Sequence, residues 1–126
     1  MRLLLLASLG GAIGAGARYL VNVACAAWLS LDFPWPTFFV NVLGGFLMGV
    51  VVGGLVPALD DSPAWRVFLA TGVLGGFTTF SAFSLEIYNL MDRQANGLAL
   101  VYVLASVVLS VLALVAGLAS ARWSFR

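Results

Sequence analysis

Four apolar runs alternate with short polar breaks along this chain. A membrane-crossing helix needs about 20 consecutive apolar residues. Runs of that order fit Leu3 to Ala27, Thr37 to Val56, Ala64 to Leu90 and Leu98 to Ser120. The segment Leu31-Asp32-Phe33-Pro34-Trp35-Pro36 ends the first run, because two prolines and an aspartate break a helix. Pro57 and Asp60-Asp61-Ser62-Pro63 close the second, with Ser62 predicted as N-cap and Pro63 as first residue of the next helix. Asp92-Arg93-Gln94-Ala95-Asn96-Gly97 is a polar turn before the fourth. The third run is unlike the others. Gly75-Gly76-Phe77-Thr78-Thr79-Phe80-Ser81 places paired glycines and hydroxyls inside it. Irregular backbone at membrane depth survives only where protein buries it or it lines a wet path. The pattern therefore predicts an all-α integral membrane domain over residues 1–126, with four transmembrane helices and the third broken mid-membrane near Gly75 to Ser81.

Composition strengthens this reading. The chain is 63% hydrophobic and 9% charged, against about 25% charged in soluble domains. Its mean hydropathy is +1.09. The start Met-Arg-Leu-Leu-Leu-Leu-Ala has the look of a secretion signal, but Gly-rich apolar sequence continues past a signal core, so it reads as the first span. Trp28, Trp35, Trp65 and Trp123 fall near span ends, where aromatic belts form. A net charge of +1 argues against nucleic acid as a partner. There is no His, and the lone Cys25 sits in an apolar run as a packing residue. Enzyme chemistry finds no support, because no nucleophile has an evident base and no carboxylates pair within a span.

An even number of spans puts both termini on one side. Arg2, Arg66, Arg122 and Arg126 fall there, and Arg18 and Arg93 on the other. This bias is weak for loops short enough to obey the positive-inside rule. Such a chain can insert both ways, and two opposed copies would form an inverted pair.

Polar residues recur at helical spacing. Gly10 and Gly14 form a Gly-x-x-x-Gly pair for close packing. Arg18 either snorkels beside Tyr19 or raises anion concentration at a vestibule. Thr37, Asn41, Gly45 and Gly49 share one face. Asn41 either bonds a neighbouring helix or offers its NH₂ to a passing anion. Tyr102, Ser106 and Ser110 make a hydroxyl stripe, which either bonds back to its own carbonyls or lines a polar track. Phe80 and Phe83 are expected on one face, as core, lipid contact or a pair of positive ring edges for an anion, with Thr78, Thr79, Ser81 and Ser84 adding donors. Glu86 is expected near an interface as a solvated or Arg-paired carboxylate.

Taken together, Gly10-Gly11-x-x-Gly14-Ala15-x-x-Arg18-Tyr19, Thr37-x-x-x-Asn41-x-x-Gly44-x-Phe46-x-x-Gly49 and Gly75-Gly76-x-Thr78-Thr79-Phe80-Ser81-x-Phe83-Ser84-x-Glu86 resemble the Fluc (CrcB) family of small bacterial fluoride channels. The likeness covers essentially the whole chain, with three ordered motifs each in its own span. The fourth helix matches only by its hydroxyl spacing. The resemblance implies an antiparallel dual-topology homodimer in the bacterial inner (plasma) membrane, with two pores each lined by both subunits. It implies pore phenylalanines at Phe80 and Phe83, a donor amide at Asn41, and a polar track at Ser106 and Ser110. Thr37, Thr79, Ser81 and Tyr102 would join them along the anion path, with Arg18 at the vestibule. The backbone carbonyls of Gly75 and Thr78 would hold a structural Na⁺ on the two-fold axis. Conduction would be passive, exporting toxic fluoride. A small multidrug-resistance-type proton-coupled cation exporter shares four spans and antiparallel dimers, but needs a carboxylate in its first helix, where this chain has none. A non-transporting scaffold, with glycines and hydroxyls serving packing alone, is the other alternative.

Overall fold

The computed structural model describes residues 1–124; Arg126, counted above among the arginines, lies outside them. Four helical stretches are long and apolar enough to cross a membrane: Arg2–Trp28, Trp35–Ala58, Pro63–Asp92 and Asn96–Ser124. Each exceeds its expected bounds by a few residues. We call the first α1 (Arg2–Trp28) and the second α2 (Trp35–Ala58). The third divides into α3 (residues 63–77) and α4 (Phe80–Asp92), and the last is α5 (Asn96–Ser124).

Ser62 caps α3 as its sequence predicts, its hydroxyl accepting the Ala64 N–H at 3.2 Å with Pro63 in the first turn. Pro57 departs from expectation. It does not end α2, which runs on to Ala58. The turn before it, Val51–Leu55, is π-helical. A proline inside a helix clashes with the preceding turn and lacks a donor. The wider π turn relieves that crowding without ending the helix.

Glycines decide how the helices pair. α1 lies on α3, and α2 on α5. A Cβ at Gly10 would sit 2.5 Å from the Phe68 carbonyl oxygen, and one at Gly76 would sit 2.5 Å from that of Gly11. Gly14 abuts the Val73 carbonyl in the same seam. On the other pair, a Cβ at Gly45 would fall 2.6 Å from the Ser110 carbonyl oxygen, while Gly49 meets Leu114 and Gly117 meets Phe46. Lipid tails are as apolar as leucine, so membrane helices associate through such close backbone approach rather than through hydrophobic burial. Thr37, Gly45 and Gly49 do share the face of α2 that the four-residue spacing predicts, and it is the face turned to α5.

One core cluster gathers Phe83, Leu90, Ala99 and Tyr102, with Phe33 and Phe38 against it. Phe33, from the α1–α2 loop, sets its ring edge-on to Tyr102 with centroids 5.4 Å apart. A second cluster joins Val51, Val56 and Leu74. Leu4, Leu5, Ile13, Leu20, Leu104 and Leu112 point outward, as residues facing hydrocarbon do. The chain is a multi-pass membrane protein.

Candidate functional site

The helical ladder between α3 and α4 stops at two residues. Thr78 turns to ψ 160° and Thr79 to φ −154°, ψ 125°, both extended. The break is shorter than the expected Gly75 to Ser81, and it spares the glycines: Gly75 and Gly76 remain helical. Gly76 is needed where α3 meets Gly11 on α1, so its lack of a side chain serves packing and not the turn. The threonines make the break instead, since β-branched residues favour extended backbone. Each also supplies a local bond. Thr78 Oγ1 donates to the Leu74 carbonyl at 3.0 Å, and Thr79 Oγ1 accepts the Ala82 N–H at 3.2 Å as the N-cap of α4.

Asn41 holds the break from across the bundle. The Thr79 N–H donates to Asn41 Oδ1 at 2.8 Å, and Asn41 Nδ2 donates to the Thr79 carbonyl at 3.0 Å. The amide thus takes both polar groups of one residue's main chain and keeps a single N–H unspent. In a continuous helix the Thr79 N–H would go to the Gly75 carbonyl and the Ala82 N–H to that of Thr78. Both donors are diverted here, so both carbonyls are without them.

Beside the break lies a groove of about 360 Å³, bounded by Asn41, Thr78, Thr79, Phe80 and Phe83 on one side and Ser106 and Ser110 of α5 on the other. The hydroxyls of Ser106 and Ser110 are buried and have no partner among the described residues. Serines in apolar helices usually bond back one turn. These two do not, and a buried polar atom without a partner costs about 1–3 kcal/mol.

The two phenylalanines are neighbours with different surroundings. Their ring centroids are 5.6 Å apart at 44°. Phe83 is 6% exposed and packs on Tyr102 at 5.1 Å, whereas Phe80 is 77% exposed. The two rings share the face that their spacing predicts, and both border the groove, but they differ in exposure. Three residues turn a helix through about 300°, which leaves the two side chains only about 60° apart, so the core covers Phe83 while Phe80 sits at its edge. Ser81 is exposed with its hydroxyl 3.3 Å from Thr79 Oγ1, and Ser84 bonds back to the Phe80 carbonyl at 2.9 Å.

Glu86 is the residue whose partners sequence reasoning missed. It is half-buried and, among the described residues, has no arginine partner; two hydroxyls hold it instead. Thr37 Oγ1 donates to one carboxylate oxygen at 2.7 Å, and the Tyr102 hydroxyl donates to the other at 2.6 Å. Thr37 and Tyr102 are both buried, so the face of α2 and the stripe of α5 converge on the one carboxylate that α4 carries in its middle. Glu86 also lines a cleft of about 510 Å³ between the α1–α2 loop and the end of α4, where Asp32, Asp92 and Arg93 lie. Tyr102 links the two places only by contact, its hydroxyl on Glu86 at the cleft and its ring on Phe83 at the groove. Arg18 stands apart. It is half-buried on α1, has no ion pair among the described residues, and lines neither the groove nor the cleft.

Among the described residues no three His, Cys, Asp or Glu side chains gather as metal ligands. The carbonyls freed at the break are oxygen donors of the kind that hard cations accept.

Residues 5–118 match the family model for "CrcB-like protein, Camphor Resistance (CrcB)". A fluoride-specific ion channel FluC of Phenylobacterium zucineum (strain HLK1) is 51% identical over 126 residues, covering 99% of each chain. The FluC of Chelativorans sp. (strain BNC1) is 53% identical over 119 residues, 94% of this chain and 95% of its own. That of Agrobacterium fabrum is 50% identical over 117 residues, 93% of this chain and 94% of its own. With a family match over nearly its whole length and relatives at half identity end to end, this chain belongs to the CrcB-like protein family.

Proposed function

We propose that this protein is a fluoride-selective passive channel that exports fluoride from the bacterial cytoplasm as an antiparallel homodimer with two pores. One observation carries the reading: the buried hydroxyls of Ser106 and Ser110, without a partner among the described residues, belong to a groove that Asn41 and the broken helix also line. Fluoride is small and strongly hydrated, so a path for it must offer donors in place of water. Those two hydroxyls, the remaining N–H of Asn41, and Thr37 and Tyr102 further along supply them. Among the described residues no cationic side chain lines the groove to trap the ion, and conduction needs weak binding at several sites. Relatives covering nearly the whole chain are fluoride-specific channels, which supports the choice of anion.

Assembly follows from lipid physics. A break placed mid-membrane and left open to hydrocarbon is unstable, and on one chain Gly75, Phe80 and Ser81 around it are exposed. A second copy would cover them and complete the groove with its own Phe80. The weak arginine bias lets that copy insert the other way up. Arg18 would sit at a vestibule and act on anion concentration rather than on binding. The carbonyls of Gly75 and Thr78, stripped of helical donors, fit a structural Na⁺ at the dimer axis. When bound, the ion would supply fixed positive charge that holds the two breaks together.

The test is efflux from liposomes. Purified protein is expected to release fluoride down its gradient, retain chloride, and need no proton gradient. Equal chloride flux would remove the selectivity, proton-coupled cation exchange would point to an exporter, and no flux at all would leave a scaffold.

A further inference from the structure

We propose that Asn41 is a positioning residue for the cation site, which creates the free carbonyls of Gly75 and Thr78 by holding the break open. This rests on the sodium reading above. Asn41 lies on α2, 38 residues from Thr79, and its amide meets both the N–H and the C=O of that residue. Two bonds from one planar amide fix the orientation of the Thr79 main chain, which a single bond would leave free to rotate. The consequence reaches one turn back. Thr79 is nearly buried, so its N–H must find an acceptor. Without Asn41 the acceptor that helix geometry offers is the Gly75 carbonyl. Closing that bond would extend α3 and take a ligand from the cation. Downstream, Thr79 Oγ1 holds the Ala82 N–H away from the Thr78 carbonyl in the same manner, and it does so only while the Thr79 backbone stays extended. Asn41 therefore governs both carbonyls without touching the ion. Asn41 also lines the groove, so one side chain ties the proposed anion path to the cation site.

The experiment reads sodium binding rather than flux. Thermal melting of the purified dimer in detergent is followed as NaCl replaces N-methylglucamine chloride at fixed ionic strength. An ion bound only by the folded dimer raises the melting temperature by mass action. Asn41→Ala is expected to raise the half-effective sodium concentration about tenfold, equivalent to ~1.4 kcal/mol. Asn41→Asp keeps an oxygen for the Thr79 N–H but cannot donate to the Thr79 carbonyl, and is expected to fall between the parent and Asn41→Ala. Ser110→Ala changes the groove but not the break, and keeps the parent's sodium response. A parent with no sodium-specific shift overturns the cation reading, and this inference with it. A parent that responds beside an Asn41→Ala dimer that responds equally overturns the inference alone. An Asn41→Asp dimer as insensitive as Asn41→Ala does the same. So does failure of both Asn41 variants to assemble in saturating sodium, which would make Asn41 a packing residue.

Discussion

Phe80 and Phe83 carry the sharpest contrast at the residue scale. Phe83 belongs to the core with Leu90, Ala99 and Tyr102, and Phe80 touches little of its own chain beyond that neighbour. Replacing Phe80 by Ile leaves the fold of one chain undisturbed and removes only a ring edge. We expect Phe80→Ile to assemble normally by size-exclusion chromatography and to slow fluoride efflux by at least about tenfold, ~1.4 kcal/mol in barrier. Phe83→Ile should lose a similar flux but also up to about 1.5 kcal/mol of stability, as buried swaps of comparable volume do. An assembled Phe80→Ile that conducts like the parent would show that ring edges play no part. Spacing in the sequence revealed the pair, but not that their surroundings differ. Exposure depends on what α5 and the α1–α2 loop place against each ring, and neither is local to α4.

At the scale of elements, the glycine seams set the separation of α1 from α3 and of α2 from α5. Gly49→Ala would drive a methyl into the Leu114 carbonyl, with the Leu118 nitrogen 2.6 Å away. Backbone cannot rotate aside as a side chain can, so α2 and α5 must part. We expect a loss of about 1–3 kcal/mol, the usual range for overpacking, read as a lower melting temperature in detergent. Gly97→Ala is the control, because among the described residues a Cβ there meets nothing within 4 Å beyond its own stretch of helix backbone. Equal melting of the two variants would mean that the seam does not set the packing. The glycines of α1 and α2 were legible as packing residues from their spacing alone. Gly75-Gly76 misled because paired glycines are also the material of a break, and only the contact of Gly76 with Gly11 assigns it to the seam.

At the scale of the whole molecule, the arginine distribution bears on topology. A single cysteine placed at the N-terminus of a Cys25→Ala background should react with a membrane-impermeant thiol reagent from either face of the membrane, in roughly comparable amounts if the charge bias is as weak as it reads. Labelling from one face alone would exclude opposed copies. Hydrophobic runs, breaking residues and tryptophan placement determined four spans, their order and nearly all of their ends, because span length follows from bilayer thickness and needs no partner. The hydroxyl stripe of α5 was equally readable, since residues four apart share a helical face whatever surrounds them. Tertiary structure alone decided the rest. The Glu86 carboxylate meets Thr37 from 49 residues away and Tyr102 from 16. Asn41 meets Thr79 across two helices, and with that contact the break falls on two threonines rather than two glycines. Such bonds join groups whose separation along the chain carries no period, so their partners are chosen by how closely the glycine seams let the helices approach.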